Sequence, residues 1–295
     1  MPRRRTVVRA HAKINLDLRI LGRRRDGFHE LRTVLQSIDL HDTLTVLARP
    51  GPFALRCRDR AVPTDATNLI WRAAAAAAAV TGRGPLRELS VTLDKRIPMD
   101  AGLGGGSADA AAMLRALGRF WPDLTPEAQR DLAVDLGADV AFFLLGGTAL
   151  GLGRGEQLFP LVDLPMHWIV LLVPAFGVPT ADAYAWHDRT ARRPAARVSG
   201  EPIGSAAGLL GAVVEGVNDL EPVVAAKHPE IARMHRALGR AGALRAAMSG
   251  SGSCVFGLFS RRREAVAAAA SLGRRSRRAI VTRTLDRAAA VSRPR

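Results

Sequence analysis

A strand-forming run, Leu89–Leu93, leads through Lys95-Arg96-Ile97 into Pro98-Met99-Asp100-Ala101-Gly102-Leu103-Gly104-Gly105-Gly106-Ser107-Ala108-Asp109. An apolar stripe at Ala110, Met113, Leu114 and Leu117 follows, with the i, i+3, i+4, i+7 spacing of a helix. A glycine-rich turn from strand to helix constrains this chain more than any other feature. Glycines let backbone N–H groups approach a polyphosphate, and the helix start adds about half a positive charge. No Gly-Lys-Ser/Thr follows the glycines, so the segment is not a Walker loop. It also lacks the downstream acidic residue of a dinucleotide-binding fingerprint. By itself the run fits a phosphate cradle and a flexible glycine turn equally well.

The surrounding pattern is α+β. Ala12–Leu21 alternates with a strand period, placing Ile14, Leu16, Leu18 and Ile20 on one face and Lys13, Asn15 and Asp17 on the other. Thr33–Ile38 and Thr43–Leu47 read as two further strands. The Ala73–Ala79 run extends a helix beginning near Asn68. Thr125-Pro126 reads as an N-cap with proline in the first turn, and Leu136–Leu145 puts Asp139 at the start of a short apolar helix. Pro160 and Pro165 flank a connector, which divides the chain into domains of residues 1–160 and 161–295. In the second half, strands are expected at Trp168–Val173, Leu244–Met248, Cys254–Phe259 and Ala279–Thr284. Helices are expected at Ala181–Arg189, Leu220–Ala226, Pro229–Arg240 and Arg262–Leu272, and a loose loop at Pro194–Ser205.

Composition narrows the function classes. Nothing resembles about 18 uninterrupted apolar residues or a signal peptide, so the expectation is a cytoplasmic protein without a membrane partner. Cys57 and Cys254 form no metal or disulfide pattern. A formal charge of +16 suits either nucleic acid or a phosphate-rich small substrate. The arginine clusters lack interleaved aromatics, so no nucleic-acid partner is expected. The only lysines are Lys13, Lys95 and Lys227, and the only asparagines are Asn15, Asn68 and Asn218. In so arginine-rich a chain, Lys13 and Asn15 stand where a compact ammonium and an amide are needed. The assembly expected is a monomer or a homodimer.

Pro98–Ala111 resembles the second motif of the GHMP kinases, the superfamily of galactokinase, homoserine kinase and mevalonate kinase. Met248-Ser249-Gly250-Ser251-Gly252-Ser253 resembles the third motif of that family. Ala12–Leu16, Arg25–Leu31, Leu136–Val140, Gly153–Glu156, Pro179-Thr180 and Asn218–Glu221 are similar to the branch that acts on a cytidine diphosphate ester of methylerythritol. The likeness runs from about Ala10 to Leu285. Two departures are modest: Ala141 stands where proline is usual, and Phe28 where tyrosine is frequent.

The resemblance implies a two-domain GHMP kinase fold, with an N-terminal ribosomal-protein-S5-like nucleotide-binding domain and a C-terminal ferredoxin-like α/β sandwich. It implies transfer of the ATP γ-phosphate to the 2-hydroxyl of the cytidylyl substrate, in non-mevalonate isoprenoid synthesis, with Mg2+ required. On that basis Lys13 and Asp139 are the expected catalytic pair. Pro98, Met99, Asp100, Ala101, Gly102, Leu103, Gly104, Gly105, Gly106, Ser107 and Ala108 are expected to hold ATP, with Asn68 and Asp109 on the adenosine side. Ser107 is the candidate to reach the phosphate or the metal. Asn15, Phe28, His29, Thr180 and Tyr184 are expected to bind substrate, with the base between Phe28 and Tyr184 and its edge on His29. A lysine about 4 Å from Asp139 favours the charged carboxylate, so orientation of the hydroxyl should outweigh early proton removal. The plainer alternatives are that Asp139 caps its helix, Lys13 points to solvent and the aromatics are ordinary packing residues. Another GHMP kinase, or a basic RNA-associated protein, remains the competing function.

Overall fold

A computed structural model describes residues 5–84, 86–190, 215–274 and 276–292. The expected loop at Pro194–Ser205 lies outside them. In chain order the elements are β1 (Arg5–Arg23), β2 (His29–Pro52), β3 (Ala54–Cys57), α1 (Leu69–Val80), β4 (Arg87–Asp94), α2 (Gly105–Phe120), α3 (Pro126–Leu136), α4 (Ala138–Leu145), β5 (Thr148–Gly153) and β6 (Gln157–Pro160). There follow β7 (Trp168–Pro174), α5 (Thr180–Thr190), α6 (Glu221–Lys227), α7 (Glu230–Arg240), β8 (Arg245–Met248), β9 (Val255–Phe259), α8 (Arg262–Leu272), β10 (Arg277–Arg283) and α9 (Arg287–Ala290).

Two sheets organise these elements. The first runs β3-β4-β2-β5-β6, with β1 paired along β2; the second runs β10-β7-β9-β8. The alternation in β1 explains how they meet. Ile14 and Leu16 join Val34 and Ile38 from β2 and Ile169, Leu171, Phe256 and Leu258 from the second sheet in one core. A second core packs the first sheet against α1–α4, with Ile70, Met113, Leu117 and Phe142 at its centre. A third packs the other sheet against Ile231, Met234 and Leu238 of α7. Ile14 and Leu16 are fully buried, and Lys13 and Asn15 alternate with them along the strand.

Three local predictions take a concrete form. Asn68 is the N-cap of α1, its Oδ1 accepting from the Ile70 N–H at 2.8 Å. Thr125 caps α3 with Pro126 in the first turn. The two strands expected at Thr33–Ile38 and Thr43–Leu47 are one ribbon, because Asp39 and Leu40 are absorbed as a register shift opposite His11 and Ala12. A bulge keeps the ladder intact on either side, so the polar residues do not end the strand.

A buried charge cluster ties the entry of the glycine run to the first sheet. Asp42 Oδ1 accepts from the Arg96 and Ile97 N–H groups, the latter at 2.8 Å. The Lys95 ammonium bonds Asp42 Oδ2 at 2.5 Å and Asp109 Oδ2 at 2.8 Å. Burial alone would lower the Lys95 pKa; Asp109 and Asp42 outweigh it and hold the pKa above its usual value. Burial pushes the Asp109 carboxyl upward, reinforced by Asp42 and opposed by Lys95. Asp42→Ala should remove three hydrogen bonds and cost about 3 kcal/mol of unfolding free energy. Urea denaturation at pH 7 measures it, and a loss below about 1 kcal/mol would mean the cluster does not anchor the turn.

Candidate active site

The first glycine loop is built against the second. Gly102 has a φ of +71°, and a Cβ there would fall 1.9 Å from the Ser249 carbonyl oxygen. Only a residue without a side chain permits that approach. The Ser249 hydroxyl donates to the Gly102 carbonyl at 2.9 Å and accepts from the Asn15 N–H at 3.3 Å. One hydroxyl thus joins β1 to both glycine loops. Thr180 and Ser251 share a hydroxyl–hydroxyl contact of 3.1 Å, which brings the start of α5 to the same loop.

Asn218 shapes the second loop from below. Its Nδ2 donates to the carbonyls of Met248 and Gly250, each at 2.8 Å, and its Oδ1 accepts from the Leu220 N–H. Glu221 Oε2 takes the Met248 N–H at 2.8 Å and its other oxygen bonds His235. The Glu221 hydrogen bond raises the His235 pKa against the opposing effect of burial.

Lys13 is 4% exposed and does not point to solvent. Its Nζ donates to Asn15 Oδ1 at 2.7 Å and stands 3.7 Å from Asp139 Oδ2. Its own N–H donates to the Leu103 carbonyl at 3.1 Å, fixing the strand to the glycine loop. Asn15 is oriented in turn, donating to Thr33 Oγ1 at 2.8 Å while Thr33 donates to the Asp17 carbonyl. Asp139 lies in the first turn of α4, whose cap position is Gly137, so capping is not its part. Its side chain is 40% exposed. An open carboxylate beside a buried ammonium can hold an entering hydroxyl while the ammonium faces incoming negative charge.

Gly104 caps α2 with a φ of +71° and offers no side-chain cap bond. The first N–H groups of the helix therefore have no acceptor within it. Ser107 is half-buried in that first turn. Its hydroxyl is a hard oxygen donor of the kind that Mg2+ takes together with phosphates and water. Asp100, with a φ of +50°, shapes the loop from its other end and accepts from the Val178 N–H through its carbonyl.

Other expected residues sit differently. The Asp109 carboxylate is buried with Lys95 rather than turned toward a nucleoside. Phe28 is 54% exposed beneath the Arg154 guanidinium, 5.0 Å from its centroid. Among the described residues, the ring stacked on Tyr184 is His29, with centroids 4.8 Å apart and planes 22° from parallel. His29 Nε2 bonds Asp188 Oδ1 at 2.7 Å. Burial, then the charge of Asp139, pushes the Tyr184 phenol pKa upward. The sequence reading missed Asp188, Thr33 and the bridging part of Ser249. Asp188 had a legible signal: it follows Tyr184 by four residues on an expected helix, which puts both on one face.

The chain is similar to known proteins over most of its length. The GHMP kinases N terminal domain matches residues 68–147, and the GHMP kinases C terminal domain matches residues 196–277. A 4-diphosphocytidyl-2-C-methyl-D-erythritol kinase of Solibacter usitatus is 47% identical over 267 residues, covering 85% of this chain and 80% of the relative. The kinase of the same name from Pelotomaculum thermopropionicum is 43% identical, covering 94% and 97%. A crystal structure of 4-(cytidine 5'-diphospho)-2C-methyl-D-erythritol kinase superposes with a TM-score of 0.78 at 35% identity, covering 94% of this chain and 98% of that one. A homoserine kinase from Cytophaga hutchinsonii shares the fold, with a TM-score of 0.71 at 18% identity, covering 99% and 96%. With that identity sustained over nearly the whole length, the chain belongs to the 4-diphosphocytidyl-2-C-methyl-D-erythritol kinase family of the GHMP kinases.

Proposed function

We propose that this protein transfers the γ-phosphate of ATP to the 2-hydroxyl of 4-diphosphocytidyl-2-C-methyl-D-erythritol, giving the 2-phosphate used in non-mevalonate isoprenoid synthesis. The observation that carries the reading is the Lys13–Asp139 pair, 3.7 Å apart, beside the glycine-opened start of α2. Phosphoryl transfer passes through a loose transition state, so positioning and charge stabilisation supply most of the rate. In this scheme the loop from Pro98 to Ala108 holds the triphosphate through its N–H groups. Asp139 orients the acceptor hydroxyl and takes its proton as the new P–O bond forms. Lys13, aimed by Asn15, steadies charge on the transferring group. Mg2+ bound with ATP would neutralise phosphate oxygens, and Ser107 is the residue that would help to hold it.

The cytidine end is assigned to Tyr184 and His29, with Phe28 and Arg154 at the outer rim and Thr180 and Asn15 toward the polyol. Asn68 remains the residue assigned to the adenosine side. The positive net charge would draw in a substrate and co-substrate that both carry phosphates, and no nucleic-acid partner is invoked. We divide the chain into an ATP-binding part, 1–160, and a substrate-side part, 161–295, and place it in the cytoplasm as a monomer or homodimer. Among the described residues, no helix is long and apolar enough to cross a membrane.

Incubation with ATP, Mg2+ and each of the cytidylyl substrate, homoserine and mevalonate, followed by phosphorus NMR, tests the substrate. Only the cytidylyl substrate should gain a phosphomonoester; phosphorylation of another alcohol in its place would overturn the reading. Asp139→Asn and Lys13→Met should each lower kcat by about 100-fold or more, with melting temperatures near that of the parent. Near-normal turnover in both would remove the catalytic pair. Calorimetric titration with CDP should show roughly 5- to 100-fold weaker binding for Tyr184→Ala, and a smaller loss for Phe28→Ala. Unchanged CDP affinity in Tyr184→Ala would place the base elsewhere.

A further inference from the structure

The register shift that fuses the two expected strands into β2 also gathers three side chains the kinase chemistry does not use. His11 pairs with His41, yet Ala12 pairs with Ile38, so Asp39 and Leu40 are extra residues on β2. Bulges of this kind redirect side chains. Here His11, Asp39 and His41 each present one donor atom, and the three atoms lie within 4.8 Å of one another.

His11 is 6% exposed, and its Nδ1 is buried without a hydrogen-bond partner. That nitrogen stands 4.0 Å from Asp39 Oδ1. A buried ring nitrogen with no partner is costly, and a ligand for it would recover that cost.

The supporting contacts are those of metal ligands. His41 Nδ1 donates to the Asp39 backbone carbonyl at 2.8 Å, which leaves Nε2 with the lone pair. Asp39 Oδ2 accepts from Arg283 Nε at 3.1 Å, which leaves Oδ1 for another partner. A cavity of about 400 Å³ lined by Asp39, Leu40, His41, Trp168, Thr282 and Arg283 adjoins the cluster. It gives room for a water.

We propose that His11, Asp39 and His41 form a binding site for a divalent transition metal of the zinc class, with two imidazole nitrogens and Asp39 Oδ1 as protein ligands and water as the fourth. Tetrahedral ligands at zinc distances lie about 3.4 Å apart, so the His11–Asp39 pair needs to close by well under 1 Å. Two nitrogens and one carboxylate select zinc, cobalt or nickel over magnesium and calcium. Because Arg283 belongs to β10, an ion here would brace the junction of the two sheets.

The test uses the full chain stripped with a chelator and then dialysed. Zn2+ titrated by calorimetry should bind with one equivalent at this site and raise the melting temperature. Co2+ should develop the visible bands of tetrahedral coordination. His41→Gln and Asp39→Asn should each weaken binding at least about tenfold, with metal-free melting temperatures close to the parent. The second such cluster, His29, His187 and Asp188, is controlled by His187→Gln, which should retain the site. Failure of the parent to bind one equivalent overturns the proposal. So does equal affinity in the His41 and Asp39 variants, or loss confined to His187→Gln. If His41→Gln does not fold, the Asp39→Asn comparison decides.

Discussion

A lysine ammonium withdrawn almost wholly from water must be compensated, and much of the site follows from how Lys13 meets that demand. The apolar alternation of β1 sends Ile14 and Leu16 into the core between the sheets, and Lys13 leaves the strand on the other side, still buried. Its first partner, Asn15 Oδ1, is neutral. Its second, Asp139, is 3.7 Å away and half open to solvent, so screening reduces the attraction below the roughly 4 kcal/mol of a pair at effective dielectric 20. An ammonium with one amide oxygen and one screened carboxylate retains donor capacity for a further anion. A phosphoryl group delivered along the start of α2 would supply one.

That arrangement depends on parts far apart in sequence being held to fractions of an ångström. Ser249 joins Asn15 to Gly102 across 234 and 147 residues. Asn218 and Glu221 set the backbone of the Ser249 loop, and Asn218 itself bridges to Leu18 on β1. The two sheets share a core beneath these contacts, so both glycine loops rest on rigid elements rather than on one another alone. Sites built this way keep their geometry as ligands enter and leave.

What was legible in the sequence was whatever a local period or a cap encodes. The alternation of β1 placed Lys13 and Asn15 together, the glycine run placed the start of α2, and Thr125-Pro126 placed α3. The likeness to the GHMP kinases supplied the partnership of Lys13 with Asp139, which no local pattern contains. Asp109 shows where local reading ended. Its place in a segment resembling the family suggested the nucleotide, whereas its carboxylate partners Lys95, itself held by Asp42 some 53 residues earlier. The single ribbon of β2 was hidden for a related reason: Asp39 and Leu40 look like a turn until β1 is laid beside them and the ladder steps over them.

The aromatic end of the site shows how position reassigns a residue without changing its chemistry. Stacking on a base needs a flat ring with one face free. Tyr184 spends one face on His29, whose Nε2 is held by Asp188, so the stacked pair is braced from the side of α5. Phe28 is instead exposed and covered by the Arg154 guanidinium. The charge of Asp139 acts on Tyr184 and, after burial, raises its phenol pKa. In the proposed reaction one ligand sets its base on Tyr184 and its hydroxyl at Asp139, so the length of the linker between base and hydroxyl becomes a term in specificity.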